Sequence, residues 1–426
     1  MKVAVIGAGS TYTPELVSGL ARDRELLDVH ELALHDIDAT RRDVVGALAR
    51  RMLEHGGYEG GLVITGELDR ALDGADYVLI QLRVGGQAAR LSDETVPLAC
   101  GCIGQETTGA GGLAKALRTV PVVLEIADEA RRRAADGAWI VDFTNPVGIV
   151  TRALLDEGHR AVGLCNIAIG FQRHFAKLLG IEPEQVVVDQ VGLNHLSWVR
   201  AAWVDGRDVL PELIERHGES LAEHSSMPRR LIDELGVVPS SYLHYYYAHD
   251  QVLAEQLDAV PRAAQVAAIE RELLELYRDP TLNEKPALLE QRGGAFYSEA
   301  ALGLVRSLVT GDGGVHVVDL RNGSTVGGLA PDDVVEVPAR VEHGGPVALP
   351  QSPVAPELLG LMQHVTAYER LAARAATSGD PALVKKALLT HPLIAQYAVA
   401  EDLVERLLEA GAEHLPRFHE TPVEAA

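Results

Sequence analysis

The stretch Lys2-Val3-Ala4-Val5-Ile6-Gly7-Ala8-Gly9-Ser10-Thr11-Tyr12-Thr13-Pro14-Glu15 decides the fold. Lys2 and the four apolar residues after it read as a buried strand. Gly7-Ala8-Gly9 then allows a tight turn, and Thr13-Pro14 supplies a capping hydroxyl and a proline suited to the first helical position. A strand, a glycine turn and a helix N-terminus in that order place backbone N–H groups where a pyrophosphate can approach. Tyr12 replaces the third glycine of the usual G-x-G-x-x-G turn. Asp36 closes the next apolar run, where a carboxylate accepts hydrogen bonds from a ribose 2′-hydroxyl and repels a 2′-phosphate, favouring NAD over NADP. Gly7, Gly9, Ser10, Thr11 and Asp36 are therefore candidate cofactor contacts, against the simpler reading of a structural tight turn.

Further apolar runs at residues 31–34, 62–65, 75–82, 138–143, 161–164 and 186–189 alternate with helical patterns, one of them spanning 112–136. Such alternation predicts a mostly parallel sheet with helices on both faces. After about residue 196 the texture changes. Residues 210–235, 242–257 and 263–278 read as helical, 315–347 as short strands, and 355–378 and 381–410 as helices, with a tail after Pro416 that ends the order. The expected class is α/β: a Rossmann-like doubly wound domain over 1–195, followed by a mixed α+β, mostly helical domain over 196–426 for substrate binding and oligomerisation.

The chain has 426 residues, a formal net charge of −23 and three cysteines. The acidity argues against nucleic acid and anionic membranes as partners, since both require basic surface. No run is apolar and long enough to span a bilayer, and the start lacks a signal-type core, so the protein reads as cytoplasmic. Three thiols cannot build a disulfide framework. An anionic substrate would need a local arginine pocket set against the overall field.

Several polar clusters sit where strands end. Residues 83–94 carry Arg83, Arg90, Asp93 and Glu94, read either as ligand contacts or as a solvated loop. Residues 104–112, with Glu106 and four glycines, enter the long helix. Thr144 and Asn145 precede Pro146, which stops a strand and points them toward the cleft. Cys165 and His195 end successive runs. Each alone is ordinarily a packing or hydrogen-bonding residue; together they make an open metal site of one thiolate and one imidazole. Cys100 and Cys102, without a second pair, read as packing residues.

The motifs VIGAGSTYTPELV, RVGGQAARLSDE, IGQETTGAGG, TNPVGIVT, GLCNIAIG, VGLNHLSW and SYLHYYY, in this order, resemble glycoside hydrolase family 4 over nearly the whole chain. The resemblance implies an NAD- and divalent-metal-dependent glycosidase, nearest to the 6-phospho-β-glucosidases. NAD⁺ would take hydride from sugar C3, a base would remove the C2 proton, the aglycone would leave by β-elimination, and water addition and return of the hydride would complete a net hydrolysis. By motif, Cys165 and His195 hold the metal, usually Mn²⁺, and Tyr242 is the base, with Tyr246 as fallback. Glu106 assists the tyrosine. Arg90, Asn145 and Arg262 hold the sugar and its 6-phosphate, Arg83 shares that work, and Arg292 is a weaker candidate. His244 and His391 read as structural.

Two departures matter. Ala168 stands where many relatives have proline. Asn166 stands where some α-specific relatives carry an acid, and an amide cannot protonate a leaving group at neutral pH. The implied enzyme is β-type, a homo-oligomer (dimer or tetramer) acting on a small phosphorylated sugar. The alternatives are a phospho-α-glycosidase or α-galactosidase of the same family, a lactate/malate-type dehydrogenase, and an NAD-binding sensor.

Overall fold

The computed structural model describes residues 1–293 and 296–419. Its thirteen strands are β1 (Lys2–Ile6), β2 (Glu31–His35), β3 (Gly61–Thr65), β4 (Tyr77–Ile80), β5 (Trp139–Asp142), β6 (Ala161–Gly163), β7 (Val187–Leu193), β8 (Leu196–Val204), β9 (Arg207–Asp208), β10 (Val238–Pro239), β11 (Val315–Arg321), β12 (Val334–Glu342) and β13 (Gly345–Ala348). They form one sheet. The first half runs β3-β2-β1-β4-β5-β6, all parallel, the doubly wound order in which a ligand crevice opens at the carboxyl ends beside β1 and β4.

Beyond β6 the sheet turns antiparallel. β11 pairs with β6, and β12, β7, β8 and β10 follow. The parallel expectation therefore stops at β6: the run at 186–189 belongs to β7, which joins β8 in a hairpin and is separated from β6 by β11 and β12. Residue 195 lies in the two-residue turn of that hairpin, and the sheet is continuous across it.

Helices cover both faces. On one, Gly109–Arg133, Val147–Asp156 and Pro356–Ser378 bury Leu113, Leu117, Val150, Met362 and Tyr368; on the other, Thr13–Arg22, Ala39–His55 and Tyr297–Thr310 bury Leu16, Val17, Leu48 and Leu304. A third cluster of Phe171, Phe175, Val199 and Leu213 packs under β7 and β8. The long helix begins three residues before the expected 112 and carries Arg131-Arg132-Arg133 in its last turn, where cations meet the negative end of the helix dipole.

Three expectations change. Residues 86–99 form a helix, Gly86–Ala99, rather than a solvated loop. The 210–235 pattern divides into Leu210–Ser225 and Arg229–Leu235, with Ser226 left-handed at φ 55° and Pro228 just after it. The 381–410 pattern divides into Pro381–Thr390 and Tyr397–Ala410, because His391 precedes Pro392 and is pushed to extended geometry. Residues Pro416–Phe418 form a short helical turn, whereas residues 420–426 of the tail lie outside the described residues. No helix among the described residues is long and apolar enough to cross a membrane.

Candidate active site

The carboxyl ends of β1, β2, β4, β5 and β6 lie at one end of the parallel half of the sheet, and Tyr242, near Cys165 and stacked on His195, links them to the β7–β8 turn. Gly7 has φ 87°, and a Cβ there would lie 2.8 Å from the Gln81 carbonyl oxygen, so only glycine fits between β1 and β4. Gly9 N–H donates to Asp36 Oδ2 at 2.7 Å, and Asp38 N–H donates to Oδ1 at 2.9 Å. Asp36 is thus fixed beside the turn. Ser10 is partly exposed there, its Oγ accepting from Tyr12 N–H.

Thr11 and Thr144 are placed otherwise than the sequence suggests. Thr11 is fully buried, with its hydroxyl on Glu270 at 3.4 Å and its carbonyl accepting from Tyr277 Oη at 2.7 Å. Thr144 is buried too, its hydroxyl accepting from Leu82 N–H at 3.2 Å, so it ties the ends of β4 and β5 together instead of facing the cleft. Asn145 is the residue of that pair that turns toward the site. Its side chain lies near Tyr297, which in turn lies near Cys165.

The thiol and imidazole fit a metal pair. His195 is buried at 3% exposure, yet neither Nδ1 nor Nε2 has a hydrogen-bond partner. A buried imidazole with both nitrogens unsatisfied is unfavourable unless something else binds it. Its backbone is left-handed at φ 61°, a conformation kept by neighbours rather than by the residue itself. Burial pushes His195 down to about 3, so the ring is neutral and its lone pair available. Burial, with help from Glu336, pushes the Cys165 thiol well above its ordinary range, against the hydrogen bonds from Ile167 N–H and Tyr297. A bound cation reverses that preference by replacing the thiol proton. Among the described residues no three His, Cys, Asp or Glu side chains form a metal cluster.

The Tyr242 ring stacks on His195, centroids 3.6 Å apart and 8° from parallel. Successive tyrosines engage successive residues of the loop before the long helix: Tyr242 meets Thr107, Tyr245 meets Gln105, and Tyr246 meets Thr108 at 2.9 Å. Burial raises the Tyr242 phenol far above 10, with Cys165, Tyr245 and Glu106 adding to it. It cannot serve as a base without a nearby cation. The fallback Tyr246 reaches His391 at 3.4 Å and lies on the far side of this loop, against Tyr368 and Glu369.

Glu106 is the hub of the charged wall. Arg83 forks onto it, Arg90 Nε lies 3.1 Å from Oε1, and Lys115 Nζ lies 2.7 Å from Oε2. Burial alone would raise its carboxyl, but Arg83, Lys115 and Arg90 hold it well below the usual range. Arg90 also meets Glu94 at 2.8 Å, and Glu94 accepts from Ala263 N–H at the start of helix Arg262–Tyr277. Behind them Arg118 and Asp93 form a buried bidentate pair at 2.8 and 2.5 Å. Arg262 is exposed and bonds the Gln291 carbonyl at 2.9 Å. Arg292 is instead committed to Glu270, at 3.0 Å, beneath the nucleotide turn; Gly294 and Ala295, which follow it, lie outside the described residues.

Sequence reasoning missed Lys115, Tyr297 and a buried acidic layer of Asp319, Glu336 and Glu369. Lys115 is 2% exposed, and burial together with Arg83 pushes it down to about 7 despite Glu106. Asp319 and Glu336 face each other across β11 and β12. The available signal was one acid inside each valine-rich strand, Val317-Val318-Asp319-Leu320 and Val334-Val335-Glu336-Val337.

A doubly wound sheet with a glycine turn after β1, a buried thiol and a buried imidazole near Tyr242, and an arginine-rich wall around a carboxylate defines the class of site. Residues 2–181 match the model of family 4 glycosyl hydrolases, and residues 190–394 match that of the family's C-terminal domain. The chain belongs to family 4 of the glycosyl hydrolases. It is 38% identical to a probable 6-phospho-beta-glucosidase of Bacillus subtilis, over 98% of each chain. It superposes on the 6-phospho-beta glucosidase of Thermotoga maritima, solved with manganese, NAD+ and glucose-6-phosphate, with a TM-score of 0.91, 36% identity and coverage of 97% of this chain and 99% of that one. A phospho-alpha-glucosidase of Clostridium acetobutylicum is more distant, at 27% identity over 98% of this chain and 99% of its own.

Proposed function

We propose that the protein hydrolyses 6-phospho-β-glucosides, using NAD and a divalent cation such as Mn²⁺. The observation that carries this reading is the buried His195 ring, unpartnered at both nitrogens and stacked on Tyr242 within reach of the Glu106 arginine wall. When bound, the nicotinamide would supply reversible hydride uptake at C3 and the cation Lewis acidity at adjacent sugar oxygens.

Cys165 and His195 hold the cation. Gly7 and Gly9 let backbone approach the pyrophosphate, Asp36 accepts from a ribose hydroxyl, and Ser10 lies beside them; Thr11 holds that turn from behind, and Thr144 supports the site by tying the ends of β4 and β5. Tyr242 takes the C2 proton once positive charge beside it lowers its phenol. Glu106 sets the charge around that tyrosine and spaces Arg83 and Arg90. Arg90, Asn145 and Arg262 take the sugar and its phosphate, in keeping with guanidinium recognition of oxyanions. Asn166 follows Cys165 and offers no acid, which supports departure of a β-linked aglycone without protein protonation; the higher identity to β- than to α-acting relatives supports the same preference. The division near residue 195, a cytoplasmic location and a homo-oligomeric state belong to the same proposal.

The test is incubation with NAD⁺, Mn²⁺ and p-nitrophenyl β-glucoside 6-phosphate, its α anomer and its unphosphorylated form. The reading expects nitrophenol from the phosphorylated β compound with no net NADH. Net NADH without nitrophenol would instead mean a dehydrogenase, and neither product would overturn an enzymatic reading of this site.

A further inference from the structure

The β7–β8 turn needs an explanation of its own. His195 sits at its apex with φ 61°, and neither ring nitrogen is anchored by protein. Metal-binding imidazoles ordinarily gain their orientation from a partner on the second nitrogen. Here that device is missing, so orientation comes from the Tyr242 stack on one face of the ring and from the backbone of the turn.

Glu336, 1% exposed at the centre of β12, brackets the turn from outside. It faces Gly192 across the ladder. Its Oε1 accepts from Gln190 Nε2 at 2.5 Å, and the same Gln190 amide reaches Ser197 Oγ at 3.0 Å, joining the two arms of the hairpin. Its Oε2 accepts from Asn194 Nδ2 at 3.3 Å, one residue before His195. Gly192 lets the arms close this far: a Cβ there would fall 2.2 Å from the Leu196 carbonyl oxygen. Both oxygens of the Glu336 side chain serve as acceptors, one to each amide. A glutamine at 336 would set an N–H₂ against one of them.

We propose that Glu336 is the positioning residue for the cation ligand His195, acting through Asn194. Its carboxylate holds Asn194, Asn194 holds the left-handed turn, and the turn aims the imidazole beside Cys165. The proposal rests on the metal reading of Cys165 and His195 given above.

The test measures Mn²⁺ affinity directly, from the electron paramagnetic resonance signal of the unbound ion, for wild type, Glu336→Gln, Asn194→Ala and the double variant. NAD affinity and far-ultraviolet circular dichroism report folding. Each single change is expected to weaken Mn²⁺ binding about tenfold or more. NAD affinity should stay within about twofold, and the double variant should bind no more weakly than the worse single one. A single variant within about twofold of wild type, or losses that multiply in the double variant, would overturn the proposal. Where Glu336→Gln loses NAD affinity and so fails to fold, Asn194→Ala decides by the same limits. Wild type that binds no Mn²⁺ would refute the metal reading itself, a result separate from these.

Discussion

Replacing Glu369 with glutamine should make the protein more stable in alkaline than in acidic solution relative to wild type. Glu369 is 4% exposed, lies against the Gly148 backbone at 2.6 Å from where a Cβ would be, and has an Oε2 without a partner. Burial raises its carboxyl from 4.5 to about 7, Asp333 and Glu336 push the same way, and Arg152 opposes. Folding therefore favours the protonated form. The stability this represents is fully present below the unfolded value near 4.5 and is lost as pH rises through about 7. Between pH 5 and pH 8 the loss is about 2–3 kcal/mol. Glutamine cannot ionise, so its packing and hydrogen-bond cost is the same at both pH values and cancels in the comparison. The assay is urea unfolding of the metal- and NAD-free protein at the two pH values. The stability difference between variant and wild type should move by about 2–3 kcal/mol in favour of the variant from pH 5 to pH 8. An equal difference at both would refute the claim that this carboxyl is held neutral by burial.

Two further expectations concern the site and its support. Tyr242→Phe should lower kcat about 10²–10⁴-fold while Mn²⁺ and NAD affinities stay unchanged, as equilibrium titration can verify, because the ring stack on His195 survives without the hydroxyl. Arg118→Met strands the buried Asp93 carboxylate and should cost about 3–5 kcal/mol in urea unfolding near pH 7; a loss below about 1 kcal/mol would mean that the pair is not a buried support of the wall.

The nucleotide half was readable because its signals are local. Strand, turn and helix follow one another from Lys2 to Arg22, and Asp36 ends the next strand, so adjacent residues carry the argument. The antiparallel half was not, since β11 and β12 enter between β6 and β7 from more than a hundred residues away, and no periodicity encodes that insertion. For the same reason the acidic layer was hard to read: Asp319 and Glu336 acquire their meaning only when β11 and β12 bring them beside Gly163 of β6 and Gly192 of β7. Lys115 lies in an alanine- and leucine-rich helix, where a lone lysine ordinarily marks the solvent face; only the position of Glu106 makes it an inner cation. Thr11 and Thr144 show the converse limit. Their places in the turn and at the strand end were legible, but side-chain direction depended on Glu270 and Leu82, which the local sequence does not contain.

The central claim is that oxidation is a temporary stage within hydrolysis, with Tyr242 removing a proton from sugar C2. The most direct measurement is turnover of a 6-phospho-β-glucoside in D₂O, followed by nuclear magnetic resonance of the glucose 6-phosphate released. Proton removal at C2 predicts deuterium at that carbon in the product, with no net NADH. Product carrying only hydrogen at C2 would contradict it, because direct displacement at C1 never opens that bond.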